Sequence, residues 1–216
     1  MAERETVPRG RHAPPPEIRQ DRQRRRLFAA AASVFARVGY ADATAESIAR
    51  EAGMSKATFY EHFENKEDCI IALFDAATET ILGQMAAAVT NGDKKLEPAT
   101  RYRKQVVAFL TALAESPEAS QTLLVEVIGA GPRAMERRDG VLNAFAAFID
   151  ERNREDAEAG LVPRLPSRDD SFAIVGAAVE LASRQLRTGE PKDIRELEPV
   201  IERLIQGALM AAERQR

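Results

Sequence analysis

Lys56, Thr58, Tyr60 and His62 lie within seven residues, and each can donate a hydrogen bond to a phosphate oxygen or a base edge. Phe59 and Phe63, four apart, would hold the buried face of the same short helix. Ser55, just ahead, can cap it by accepting a backbone N–H. Upstream, Ile48, Ala49 and Ala52 fall on one face of a second short helix, and Gly53 offers a turn where positive φ carries no steric cost. Two small helices, a glycine turn and a polar second helix make the composition of a helix-turn-helix, whose second helix enters the DNA major groove.

The elements that must position this pair are readable on both sides. Leu27, Ala31, Val34, Phe35 and Val38 recur at helical spacing and predict a helix from about 17 or 18 to 38. Gly39 ends it, and Tyr40 follows as a packing anchor. Asn65 can cap a fourth helix to about Val89, with Glu67 and Asp68 in its positive first turn. Its buried face reads Ile70, Leu73, Phe74, Ala77, Ile81 and Met85, and Asn91-Gly92-Asp93 breaks it. Further helices are predicted over about 99–115, 118–129, 133–158, 169–187 and 194–212, with Asp169-Asp170 as a cap. No alternating strand pattern and no internal repeat is present. The fold class is all-α, with about nine helices.

One ordered set of residues carries a family likeness: Phe35, Gly39-Tyr40, Thr44, Ile48-Ala49, Ala52-Gly53-Met54-Ser55, Thr58-Phe59-Tyr60-Glu61-His62-Phe63 and Lys66-Glu67. It resembles the DNA-binding region of TetR-type (TetR/AcrR family) transcriptional regulators. The rest of the chain shares only helical character and length with that family. The resemblance implies an N-terminal three-helix DNA-binding domain over 18–66, preceded by a disordered basic and proline-rich arm, 1–17. A helical ligand-binding and dimerisation domain over 67–216 would follow.

It also implies contacts. Tyr60 and His62 match donors to phosphates, and Thr44 matches another. Lys66 matches the family's lysine at the start of helix four, beside a helix N-terminus that attracts anions. Sequence reading is expected from Lys56 on guanine and from Ala57 and the Thr58 methyl on thymine, with Ser55 and Glu46 beside them. Glu46 stands where relatives place a basic or small polar residue. It can accept from a cytosine or adenine amino group, or pair with Arg50 four residues on. Five arginines, Arg19, Arg22, Arg24, Arg25 and Arg26, precede the first core residue. They read either as a solvated helix face or as backbone and minor-groove contacts.

For the remainder, the resemblance implies a dimer through the last two helices, with Val175, Val179, Ala182, Leu186, Leu197, Ile201, Leu204 and Ile205 at the interface. It also implies a cavity for a small hydrophobic effector, lined by Phe74, Met85, Tyr102, Gln105, Phe109, Leu124, Met135, Phe145 and Phe148. Tyr102 or Gln105 would orient that ligand. Plain core packing is the alternative for each of these apolar positions. A ligand preferring one tilt of helix four would shift the two recognition helices and lower affinity for a palindromic operator. A DNA-binding protein with no effector is the competing reading.

Composition bounds the rest. The net charge is −3, yet residues 1–66 hold 12 Lys+Arg and 9 Asp+Glu, while the remainder holds 19 and 25. A head of +3 on a body of −6 favours DNA contact through one end. The N-terminus has no apolar signal core, no apolar run suggests a membrane span, and a cytoplasmic protein is expected. The one cysteine, Cys69, excludes an internal disulfide and reads as a small packed residue rather than a redox sensor. No glycine-rich phosphate loop, Cys/His zinc set or nucleophile–base pair appears, so neither cofactor, metal nor catalysis is expected.

Overall fold

The computed structural model describes residues 15–89 and 96–214. Its helices are α1 (Pro16–Asp42), α2 (Ala45–Glu51), α3 (Lys56–His62), α4 (Lys66–Ala87), α5 (Pro98–Glu115), α6 (Pro117–Leu124), α7 (Pro132–Glu158), α8 (Arg168–Thr188) and α9 (Glu198–Glu213). Short 3₁₀ turns, Glu126–Gly129 and Ile194–Leu197, follow α6 and precede α9. Among the described residues there is no strand. Most of the expected arm lies outside the described residues, as does the break at residues 91–93. Pro16 and Glu17 already belong to α1, where proline suits the first turn because its missing N–H would be unpaired anyway.

Helix boundaries follow local chemistry. Gly39, at φ +78°, interrupts α1 where the sequence predicts its end, and a last short turn runs on to Asp42. Thr44 and Ser47 cap α2 reciprocally, each side chain accepting the other's backbone N–H at 3.0 Å. Asn65 accepts the Asp68 N–H at 2.9 Å to open α4. Asp170 accepts the Ser167 N–H at 2.8 Å and so closes the start of α8. Glycine in the left-handed region ends α8 at Gly189.

One apolar core runs from Leu27 through Ile48, Phe59, Ile70 and Leu110 to Ile201, so packing is continuous from α1 to α9. Each fully buried phenylalanine, such as Phe35 or Phe59, contributes roughly 2–3 kcal/mol by leaving water. Val38 departs from the predicted stripe. It is exposed, while Tyr40, just past the kink at Gly39, packs on the core. α4 also corrects the sequence reading: it is long and apolar enough to cross a membrane, at mean hydropathy 1.3. Its apolar residues Cys69, Ile70, Leu73, Phe74 and Ile81 are instead buried against the other helices.

Candidate nucleic-acid interface and internal cavity

The α2–α3 turn is fixed by three backbone bonds. The Ala52, Gly53 and Met54 N–H groups bond to the carbonyls of Ile48, Arg50 and Ala49 at 2.9, 3.0 and 2.8 Å. Gly53, at φ +64°, makes this possible, and a Cβ there would also meet the Arg26 guanidinium at 3.2 Å. Arg26 donates to the Ala52 carbonyl at 2.7 Å and anchors the end of α2 to α1. Ser55 accepts the Thr58 N–H at 3.0 Å, which starts α3.

Phe59 and Phe63 hold α3 to the core, their rings 5.4 Å apart. The opposite face stays open. Lys56, Ala57 and Glu61 are exposed, Tyr60 is 50% exposed, and Thr58 is partly covered. Thr44 is exposed at the start of α2, close in sequence to exposed Glu46. Glu46 makes no ion pair with Arg50 among the described residues. His62 is half-buried, with its Nε2 buried and unpartnered, so the ring nitrogen left for an outside contact is Nδ1.

Lys66 overturns its expected role. Its ammonium donates to the carbonyls of Tyr40, Ala41 and Ala43 at 2.8, 2.9 and 3.1 Å, and lies 4.4 Å from the Tyr40 ring centre. All three hydrogens are used at the negative end of α1, so none is left for a phosphate. The signal for this was present: a helix ended at Gly39 leaves orphan carbonyls that need a donor. The arginine run is also partly committed. Arg24 packs over the Phe28 and Phe63 rings at 5.2 and 5.4 Å, and Arg25 pairs with Asp21 at 2.7 Å. With Arg26 on Ala52, all three side chains do structural work on α1.

The head is tied to the body at Gly39–Tyr40. Glu126, in the turn after α6, accepts the Tyr40 N–H at 2.8 Å. Arg133 and Arg137, on α7, pair with Asp68 and Asp75 of α4 at 2.8 and 2.6 Å. Cys69 lies inside this packing, and burial pushes its thiol up to about 12.

A cavity of about 150 Å³ lies among α4, α5, α6, α7, α8 and α9. Phe74, Met85, Tyr102, Gln105, Phe109, Leu124, Phe145 and Phe148 line it, as expected. Met135 does not; it sits one turn from the start of α7, short of the wall that begins at Arg138. Tyr102 donates to Asp156 at 2.9 Å, so its proton is unavailable to orient a ligand; burial and that carboxylate raise its pKa. Asp156 is itself held by Arg101 at 2.6 Å. The reading also missed Thr78 and Arg138, although both stand on apolar stripes: Thr78 between Phe74 and Ile81, Arg138 one turn before Leu142.

Several expected interface residues belong to this cavity or to the chain's own core. Val175, Val179, Ile201 and Ile205 line the cavity, Ala182 and Leu197 are buried, and Leu186 packs on the core. The stripe expected at the dimer interface faces inward, onto the cavity and the core. Leu204 is exposed, together with Phe172, Val200 and Met210.

A three-helix head with a capped helix-turn-helix is set on a helical body with an apolar cavity. Residues 27–73 match the family of bacterial regulatory proteins, tetR family. The match takes in α2, α3 and the adjoining parts of α1 and α4. The chain is 26% identical over 131 residues to the HTH-type transcriptional regulator RutR of Escherichia coli K12, covering 61% of this chain and 58% of RutR. The chain spans between 30% and 58% of the length of the curated relatives it matches. Its fold is similar to the fatty acid degradation regulator FadR of Bacillus halodurans (TM-score 0.77, 21% identity, 87% and 96% of the two chains). It is also similar to FadR of Bacillus subtilis, solved in complex with stearoyl-CoA (TM-score 0.73, 18% identity, 83% and 96%).

Proposed function

We propose that this chain is a DNA-binding transcriptional regulator of the repressor kind, released from a palindromic operator by a small amphipathic ligand. The observation that carries the DNA reading is α3: two phenylalanines fix one face, and the other presents Lys56, Ala57, Thr58 and Tyr60 to the outside. Residues 18–66 act as the head and 67–216 as the body. Thr44, Tyr60 and His62 hold phosphates, while Lys56, Ala57 and Thr58 read bases, with Ser55 and Glu46 beside them. Two heads are joined through the outer faces of α8 and α9, where Phe172, Val200, Leu204 and Met210 are uncovered.

The cavity favours a ligand-responsive protein over one with no effector. At about 150 Å³ it is smaller than most drug-sized sites, so a longer ligand must push its walls apart. Those walls include Phe74 and Thr78 on α4 and Leu124 on α6. α4 is joined to the head through Lys66, and α6 through Glu126. Expansion therefore does work on the head and shifts the population away from the DNA-binding arrangement. The FadR likeness and the apolar walls make an acyl compound the first ligand class to try.

Fluorescence anisotropy on a selected duplex, with and without acyl-CoA of increasing chain length, tests the reading. Affinity should fall as the chain lengthens beyond the resting cavity. Tight DNA binding that no acyl compound alters would remove the effector part of the proposal and leave the constitutive regulator.

A further inference from the structure

Two polar side chains, Thr78 and Arg138, interrupt the apolar wall of the cavity. Thr78, in the middle of α4, is 7% exposed, and its hydroxyl makes no hydrogen bond. A threonine within a helix can satisfy itself on the carbonyl four residues back. Thr80, Thr122 and Thr188 do so, on Ala76, Glu118 and Arg184. Arg138, on α7, has a side chain only 20% exposed and makes no hydrogen bond among the described residues. Its carboxylate neighbour is the exposed, adjoining Asp139 at 3.8 Å, too far for a hydrogen bond. A guanidinium carries five donors, so Arg138 has capacity left for an acceptor that enters the cavity.

Both groups border the same cavity. The Arg137–Asp75 pair, at 2.6 Å, clamps α7 to α4 one residue from Arg138 and three from Thr78. Thr78 and Arg138 therefore both lie near this contact of α4 with α7. Arg152, four helical turns along α7, is already held by Glu155 at 2.8 Å. Phe145, Ile149, Val179 and Ile205 make an apolar stretch of the wall, while Tyr102 and Asn153, also on it, are tied to Asp156 and to the 163–165 segment.

We propose that the cavity receives an amphiphilic organic anion, its acid group held by Arg138 and by the Thr78 hydroxyl, its apolar tail lying along Phe145 and Val179. Guanidinium is the natural receiver, since its fork matches a carboxylate or phosphate and it stays charged at every working pH. The inference rests on the reading of the cavity as the effector site. A carboxylate and a phosphate would be recognised alike, and the two sources are separable by probe. An apolar cavity of this size holds a ring the size of benzene, so a compact tail is the right probe.

Titration calorimetry of the full chain with octanoate, octanol and octanoyl-CoA is the test, on the wild type and on Arg138→Met and Thr78→Val. Octanoate or octanoyl-CoA should bind at least about tenfold more tightly than octanol. Arg138→Met should bring the favoured anion down to the octanol level and leave octanol unchanged; Thr78→Val should weaken the anion by a smaller factor. Preference for octanoate assigns the acid group as a carboxylate, and preference for octanoyl-CoA as a phosphate. Equal binding of anion and alcohol, preference surviving Arg138→Met, or binding by none of the probes overturns the proposal. Should Arg138→Met fail to fold, Arg138→Gln carries the same comparison. Octanol that releases DNA as well as octanoate would leave the regulator reading standing and remove only the anion.

Discussion

The head and the cavity handle polar groups in opposite ways. Around α1–α3 almost every inward polar group is tied: Lys66 holds three carbonyls, Arg26 caps α2, and Thr44, Ser55 and Asn65 close helix starts. Apart from the buried His62 Nε2, what stays free is aimed outward, on Lys56 and Tyr60. Around the cavity, the Thr78 hydroxyl is buried without a partner, and Arg138 has only a long contact to Asp139. The difference teaches that the head is finished before its partner arrives. On the proposed reading, the cavity is completed by the ligand that enters it. A preorganised surface suits DNA, whose phosphates have fixed spacing, and an unfinished wall suits a ligand that must change the protein's shape.

The comparison breaks first at Lys66. If its work is structural, Lys66→Met removes three charge-assisted bonds and should cost about 2–3 kcal/mol of stability by urea unfolding. A phosphate contact would instead weaken DNA binding and leave unfolding unchanged. Tyr60→Phe is the converse. It should leave the unfolding midpoint where it is and weaken DNA about tenfold, the worth of one hydrogen bond to a charged oxygen.

On the cavity side, Thr78→Val should stabilise the empty protein by about 1 kcal/mol, because a buried hydroxyl without a partner is removed. Thr80→Val, which breaks a satisfied bond at the surface, should not stabilise. Equal effects of the two, measured by thermal unfolding, would mean that Thr78 is not an orphan in solution. The smallest effect concerns Cys69. The folded thiol stays protonated to about 12, while the unfolded one ionises near 9.0. Its contribution is therefore whole below pH 9 and falls as pH rises toward 12. By pH 10 about 1 kcal/mol should be gone. Cys69→Ala should flatten that part of the stability profile.

Local signals made most of the fold legible. Capping residues, Gly39, Gly53 and Gly189, and the apolar stripes placed the helix boundaries within a few residues. The helix-turn-helix was legible because each of its parts obeys a local rule. The inner faces of α8 and α9 were not. Periodicity locates an apolar stripe but not what covers it, so Val175, Val179, Ile201 and Ile205 read as an interface although they line a cavity. Lys66 was misread for a related reason. A lysine beside a helix N-terminus suggests an anion, and only the tertiary placement of the α1 end reveals three carbonyls in reach. Thr78 and Arg138 stood on apolar stripes as polar exceptions, a signal that was open to a sequence reading.

The most direct test of the central claim is selection of bound duplexes from a random pool by the full chain, repeated with Lys56→Ala and Tyr60→Phe. The account predicts an enriched palindrome, altered or blurred at the base pairs read by Lys56, and uniformly weaker binding with Tyr60→Phe. Enrichment that neither substitution changes, or a folded protein that enriches no sequence, would contradict the assignment of α3 as the reading surface.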